Sequence, residues 1–180
     1  MLRITSGTAK NKKLEIPEIP AFRGVQEKVK LAMFAILGNK IVGSTCLDLY
    51  AGSGNLGIEA LSRGAEWCDF VDEDKKAQTA IKKNLNNCDF LEKAEVFHED
   101  SVKFASNTPQ KYDVVFVDPF YFDTKHKFLL QNLGEILNTE GTIFFTHGKD
   151  FDIEEALENT SLKLKTQRRY GKSYLSVLYK

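Results

Sequence analysis

At 180 residues, with 42% hydrophobic and 28% charged side chains, the chain is sized for one domain with a sizeable core. No apolar run reaches membrane-spanning length, the longest lying around Leu31–Leu37, and Met1-Leu2-Arg3-Ile4 opens no signal peptide, so a cytoplasmic protein without a membrane partner is expected. The zero net charge is unevenly spread: residues 1–30 hold seven basic and three acidic side chains, residues 161–180 six basic and none acidic, and the centre is acidic. Basic ends around an acidic centre suit a polyanion-binding rim beside a small-molecule site, and equally an ordinary solvated surface.

Leu2–Ser6 and Lys13–Ile16 read as short strands flanking a basic tip, a hairpin arm ended by Pro17 and Pro20. The arm is assigned residues 1–22 and the rest of the single domain residues 23–180. Val25, Val29, Met33, Ile36 and Leu37 mark an amphipathic helix closed by Gly38-Asn39, with Gln26, Glu27, Lys28 and Lys30 on its polar face. Thr45–Leu49 reads as a buried strand, a glycine turn follows, and Ile58-Glu59-Ala60-Leu61 begins a helix.

From there the period alternates. Strands are expected at Trp67–Val71, Ala94–His98, Tyr112–Val117 and Thr142–Thr146. Helices fall between them: around Ala77–Leu85, at Val102–Ser106 and through Phe128, Leu129, Leu133, Ile136 and Leu137. Repeated strand–helix units predict an α/β fold, a mostly parallel sheet covered on both faces. Leu162–Gln167 and Tyr174–Tyr179 add two strands whose link, Arg168 to Ser173, is too short for a crossover helix, so that pair must be antiparallel. The expected total is seven strands.

Gly52, Gly54 and Gly57 spell G-x-G-x-x-G, which lets backbone N–H groups and a helix N-terminus approach a ligand, although a tight turn alone needs glycine as well. Acids recur at the carboxyl ends of the strands: Asp48, Asp72-Glu73, Asp100-Ser101 and Asp118-Pro119-Phe120-Tyr121. A dinucleotide dehydrogenase accounts for the first two only. A methyltransferase using S-adenosylmethionine accounts for all of them and for the terminal hairpin. Cys46, Cys68 and Cys88 form no C-x-x-C pair and the three histidines lack ligand spacing, so buried thiols and no metal site are expected.

With these motifs in hand, the chain resembles the RsmD-type 16S ribosomal RNA guanine-N2 methyltransferases almost end to end. The resemblance is carried by Arg3-Ile4-Thr5-Ser6-Gly7, Lys12-Lys13-Leu14, Leu31–Leu37, Leu47–Gly54 running on through Asn55–Ala65, and Arg169–Ser173. It implies a Rossmann-like class I methyltransferase that binds S-adenosylmethionine through Asp48, Tyr50, Gly52, Ser53, Gly54, Asn55, Leu56, Asp72, Glu73, Asp100 and Ser101. In that reading Asp48 orients the cofactor's amino group, Asp72 takes the ribose hydroxyls and Asp100 the adenine amine. Asp100 also reads as a helix N-cap, Asp74 as a cap alone, and Glu73 as a surface residue.

The chemistry is assigned to Asp118, Pro119, Phe120 and Tyr121. Two acceptors, the Asp118 carboxylate and the Pro119 carbonyl, would localise an amine lone pair, and Tyr121 would stack on the extruded base. The bland alternative is that Asp-Pro after a strand is turn chemistry. Two residues depart from the family pattern: Phe120 stands where the family has a second proline, and Gly24-Val25 follow Arg23 where it has Pro-Thr. Both are on the substrate side. Lys10, Lys12, Lys13, Arg23, Arg168, Arg169 and Tyr170 are assigned to phosphate contacts with 16S ribosomal RNA, in the small subunit or an assembly intermediate, by a monomer. The rival readings are methylation of another exocyclic amine such as adenine N6, an inactive scaffold that binds RNA, and, last, a nicotinamide oxidoreductase.

Overall fold

The computed structural model describes residues 2–20, 22–120 and 126–180. Five strands run parallel: β1 (Thr45–Leu49), β2 (Trp67–Asp72), β3 (Ala94–His98), β4 (Tyr112–Val117) and β5 (Leu137–Gly148). Two more, β6 (Lys163–Tyr170) and β7 (Ser173–Tyr179), complete one sheet in the order β3-β2-β1-β4-β5-β7-β6. β7 is antiparallel to both β5 and β6, as the short link requires. The order of strand addition reverses at β1, with β2 and β3 on one side and the parallel β4 and β5 on the other, and that switch point opens a crevice at the carboxyl ends of the strands.

Helices α1 (Glu27–Leu37), α2 (Asn55–Ser62) and α3 (Lys75–Asn87) bury their apolar sides against one face of the sheet. Helices α4 (Ser101–Asn107), α5 (His126–Ile136) and α6 (Ile153–Leu157) cover the other. The near-continuous apolar runs of β1 and β4 follow from burial on both sides. Asp74 caps α3 through Lys76 N–H at 2.7 Å, as expected. Cys46, Cys68 and Cys88 are free and buried. No helix among the described residues is long and apolar enough to cross a membrane.

α2 lies so close to the sheet that all eight of its residues are buried. A Cβ on Gly57 would sit 2.3 Å from the Phe70 ring and 2.7 Å from Cys68 Sγ, so the third motif glycine is demanded by helix–strand approach. Gly54, at φ +75°, is the left-handed residue from which α2 starts.

Several expectations are corrected. Among its described residues the arm has no strands: its limbs share one bridge, Arg3 with Lys13, and a few backbone bonds such as Ile4 N–H to Lys12 O at 3.0 Å. Its apolar side chains Ile4, Ala9 and Leu14 join the core under α1 and α2, and several of its backbone N–H groups go to helix side chains, Thr5 to Glu59, Ala9 to Ser62 and Glu15 to Asn84. β5 extends five residues before and two after the expected Thr142–Thr146. Lys30 is not on a solvated face. It is 1% exposed and its ammonium contacts Glu59 (3.0 Å), Asn55 Oδ1 (2.8 Å) and the Arg3 carbonyl (2.7 Å). Glu59, fully buried, also takes Thr5 N–H, the Thr5 hydroxyl and Arg63 Nε. α2 can bury a carboxylate because α1 and the arm surround it with donors.

Candidate active site

A cavity of about 1040 Å³ occupies the crevice at the carboxyl ends of β1, β2, β4 and β5. It is lined by Asp48, Tyr50, Gly52, Ser53, Asn55, Leu56, Asp72, Glu73, Asp100, Ser101, Asp118, Pro119, Phe120 and Arg23. The two expected sets, for cofactor and for chemistry, therefore converge on one hollow. Gly54 stands behind the loop, at the head of α2, and Tyr121 lies outside the described residues.

The carboxylates that face the hollow also fasten its walls. Asp48, 2% exposed, accepts Gly57 N–H at 2.8 Å and ties β1 to the first turn of α2. Burial pushes its carboxyl well above the usual range, only partly opposed by that N–H. Asp72 accepts Gly52 N–H at 2.8 Å on one oxygen and Asp74 N–H at 2.9 Å on the other, so the loop after β1 hangs on the end of β2. Asp100 caps α4 through Lys103 N–H at 2.9 Å, so its helix-cap role is real while it lines the cavity as well. Glu73 is exposed, and its carbonyl meets the His98 ring. Tyr50 holds φ +57°, an uncommon conformation at the turn out of β1.

Two buried side-chain atoms in the glycine loop have no partner among the described residues, Ser53 Oγ and Asn55 Nδ2. The Asn55 amide orientation is fixed by chemistry, since the Lys30 ammonium must meet its oxygen. Orphaned buried polar groups are uncommon, and their clustering on one cavity-lining loop marks a place where a polar ligand would be met.

Asp118 directly follows β4. Its Oδ1 accepts a hydrogen bond from Thr146 Oγ1 at the end of β5. Burial raises its carboxyl to about 6, partly offset by the Thr146 hydroxyl and by the Arg23 guanidinium. Pro119 is buried and Phe120 is 42% exposed at the cavity edge. The acids around the hollow far outnumber Arg23 and Lys75, its positively charged side chains, an environment suited to a ligand carrying positive charge.

Residues that sequence reasoning missed include Thr146, Ser173, Ile19 and Phe22. Thr146 falls inside the expected strand, but its role depends on β4 and β5 being neighbours. Phe22 packs so tightly over the glycine loop that a Cβ on Gly52 would sit 2.6 Å from its ring. The segment reaching it runs along α3, with Lys12 on the Asn87 carbonyl, Glu15 paired with Asn84 and Lys76 on the Glu18 carbonyl.

That path separates the expected phosphate contacts. Thr8 and Ala9 bond to Ser62 at the end of α2, and Lys12 to Asn87 at the end of α3. The thirteen residues of α3 span about 20 Å, and Lys75 at its other end lines the cavity. Lys10, Lys12 and Lys13 therefore sit at the opposite end of the sheet, by the amino ends of its strands, and do not join the cavity rim. Arg168, Arg169 and Tyr170 belong to β6 itself, beside Ser173, which does line the cavity.

A family model described as Conserved hypothetical protein 95 matches residues 2–179. Among similar proteins, one from Bacillus subtilis described as "Putative rRNA methyltransferase YlbH" is 33% identical over 99% of both chains. The Ribosomal RNA small subunit methyltransferase D of Haemophilus influenzae is 40% identical over 68% of this chain, a match spanning 65% of the relative's length. The solved structure "Putative methyltransferase yhhF from Escherichia coli" superimposes with a TM-score of 0.85 at 25% identity, covering 98% of this chain and 96% of that one. With the class I sheet order, the glycine-loop hollow and a match running nearly end to end, the chain belongs to the Conserved hypothetical protein 95 family, the RsmD-type methyltransferases.

Proposed function

We propose that this protein transfers a methyl group from S-adenosylmethionine to the exocyclic N2 of a guanine in 16S ribosomal RNA, acting as a cytoplasmic monomer on the small subunit or its assembly intermediate. One observation carries the reading: Asp118-Pro119-Phe120 and the glycine loop Gly52–Asn55 face the same hollow. Had the segment after β4 turned away, only a nucleotide-sized cavity would remain.

The residues present fit the cofactor. Ser53 Oγ and Asn55 Nδ2 are polar atoms awaiting partners, Asp72 and Asp100 stand where the neighbouring strands end, and the acidic lining suits a sulfonium and an ammonium. When bound, S-adenosylmethionine supplies a methyl group activated by positively charged sulfur. The remaining work falls to this chain's own side chains.

The guanine N2 lone pair is delocalised into the ring, so the amine needs help to become a nucleophile. Thr146 holds Asp118 Oδ1 and leaves Oδ2 to accept one amine hydrogen, while the Pro119 carbonyl accepts the other. With its pKa near 6, Asp118 is ionised at neutral pH, which stabilises the positive charge growing on nitrogen. Its raised proton affinity also equips it to take the proton that the methylated amine gives up. Burial of Pro119 holds the carbonyl in place, and alignment of this kind supplies a large share of the rate.

The test uses small subunits from a strain lacking the enzyme, incubated with the protein and methyl-labelled cofactor and digested to nucleosides. Label in N2-methylguanosine supports the proposal. Label in N6-methyladenosine would replace the target base, and no label from wild-type protein that still binds the cofactor would replace the enzyme with an RNA-binding scaffold.

A further inference from the structure

The sheet register sorts the basic residues of the C-terminal hairpin into two groups. β6 and β7 are joined by the two-residue turn Gly171-Lys172, with Tyr170 opposite Ser173, Arg169 opposite Tyr174 and Arg168 opposite Leu175. Successive side chains of a strand point to opposite faces. Leu175 belongs to the core under α1 and Ser173 lines the cavity, so Arg168 and Tyr170 project on the face that carries Asp118 and Thr146. Arg169 shares the other face with Tyr174 and Gln167, which meet His147 there, and its Nε donates to the Gly171 carbonyl at 2.9 Å.

Thr146 lies opposite Leu175, so Asp118, Thr146, Leu175 and Arg168 form one row across β4, β5, β7 and β6. Three strand spacings put the two ends of that row about 14 Å apart. That distance suits a base seated at Asp118, its sugar and a flanking phosphate. Arg168 is exposed, no ion pair ties it to a described residue, and residues 161–180 contain no acid to compete for it.

Resting on the proposed RNA methylation, we propose that the substrate backbone leaves the cavity across this row. Its phosphates are held by Arg168 and by Lys172 at the turn, with Tyr170 beside them. Arg169 and the arm tip at Lys10 and Lys13 take no part. The arginine that engages RNA is thus chosen by strand parity, and the basic N-terminal tip lies at the wrong end of the sheet for this path.

The test measures the KM for undermethylated small subunits, and in parallel their equilibrium binding, between about 50 and 200 mM salt. Arg168→Ala should weaken both roughly fivefold near 0.1 M salt and make the slope of log K on log salt shallower by about 0.7, the loss of one single-strand phosphate contact. Arg169→Ala and the double variant Lys10→Ala/Lys13→Ala should stay within twofold at unchanged slope, all four proteins melting alike. An Arg169→Ala or arm-tip effect equal to that of Arg168→Ala overturns the path. Wild-type protein that binds subunits without methylating them overturns the reaction, and the binding series then still decides the path on its own.

Discussion

Removing the Thr146 hydroxyl while keeping its shape, Thr146→Val, should move the acid limb of the methylation rate without abolishing the reaction. Oγ1 donates to Asp118 Oδ1, and this bond is what most opposes the rise that burial imposes on the carboxyl, leaving it at about 6. A hydrogen bond to a charged group contributes about 1.5 kcal/mol or more, so its loss lifts the pKa by about one unit, to about 7. The ionised fraction at pH 6 then drops from about a half to about a tenth, while at pH 8 both proteins remain about nine-tenths ionised or better. Single-turnover methylation at saturating cofactor across this range should show a deficit of about fivefold at pH 6 that nearly vanishes at pH 8. An equal loss at every pH would refute the reasoning, because Thr146 would then be shaping the pocket and leaving the charge state of Asp118 alone.

Asp118→Asn should inactivate the protein yet stabilise it. A carboxyl raised from 3.8 to about 6 binds its proton more tightly folded than unfolded, so stability falls as pH rises from about 4 to about 6, by roughly 3 kcal/mol in all; the urea midpoint of the variant should exceed wild type at pH 8 and match it below pH 4. Lys30→Met should cost about 3–5 kcal/mol by the same measurement, since Glu59 stays buried with one of its two cations gone, and a loss under about 1 kcal/mol would show that Arg63 alone suffices. Gly57→Ala, whose Cβ would press on Phe70 and Cys68, should cost about 2 kcal/mol and lower the melting temperature by about 6 °C, with weaker cofactor binding by calorimetry because α2, pushed off the sheet, draws the residue-57 N–H away from Asp48. Phe120→Pro should raise the methylation rate at unchanged cofactor affinity, since proline fixes φ beside the two acceptors; an unchanged rate would show that the exposed phenylalanine costs the loop nothing.

Much of this protein was legible in the chain because the signals are local. The apolar run Leu47–Leu49, the glycines after it and the 3.6-residue period of α3 report directly on burial and turn geometry. They place the hollow at the end of β1 before any contact is known. The Asp-Pro after β4 is equally local, and its convergence with the glycine loop follows from the reversal of a parallel sheet at its switch point. Even the antiparallel terminal pair follows from a link too short to cross over.

Burial of charge and the direction of side chains are another matter. Lys30 sits at a helical position that reads as solvated, and partners distant in the chain, Glu59 and Asn55 on α2 and the Arg3 carbonyl of the arm, give it a reason to be inside. Arg168 and Arg169 are adjacent and chemically identical. A link read as six residues of loop tightens to a two-residue turn, and strand alternation then sends one arginine to the Asp118 face and its neighbour to the other. Lys12 belongs with the basic ends by composition but is held on Asn87 at the far end of the sheet. The sequence by itself therefore determined the elements, the glycine loop and the chemical character of the hollow, whereas register and long-range pairing decided which charges face it, because those depend on which strands and helices become neighbours.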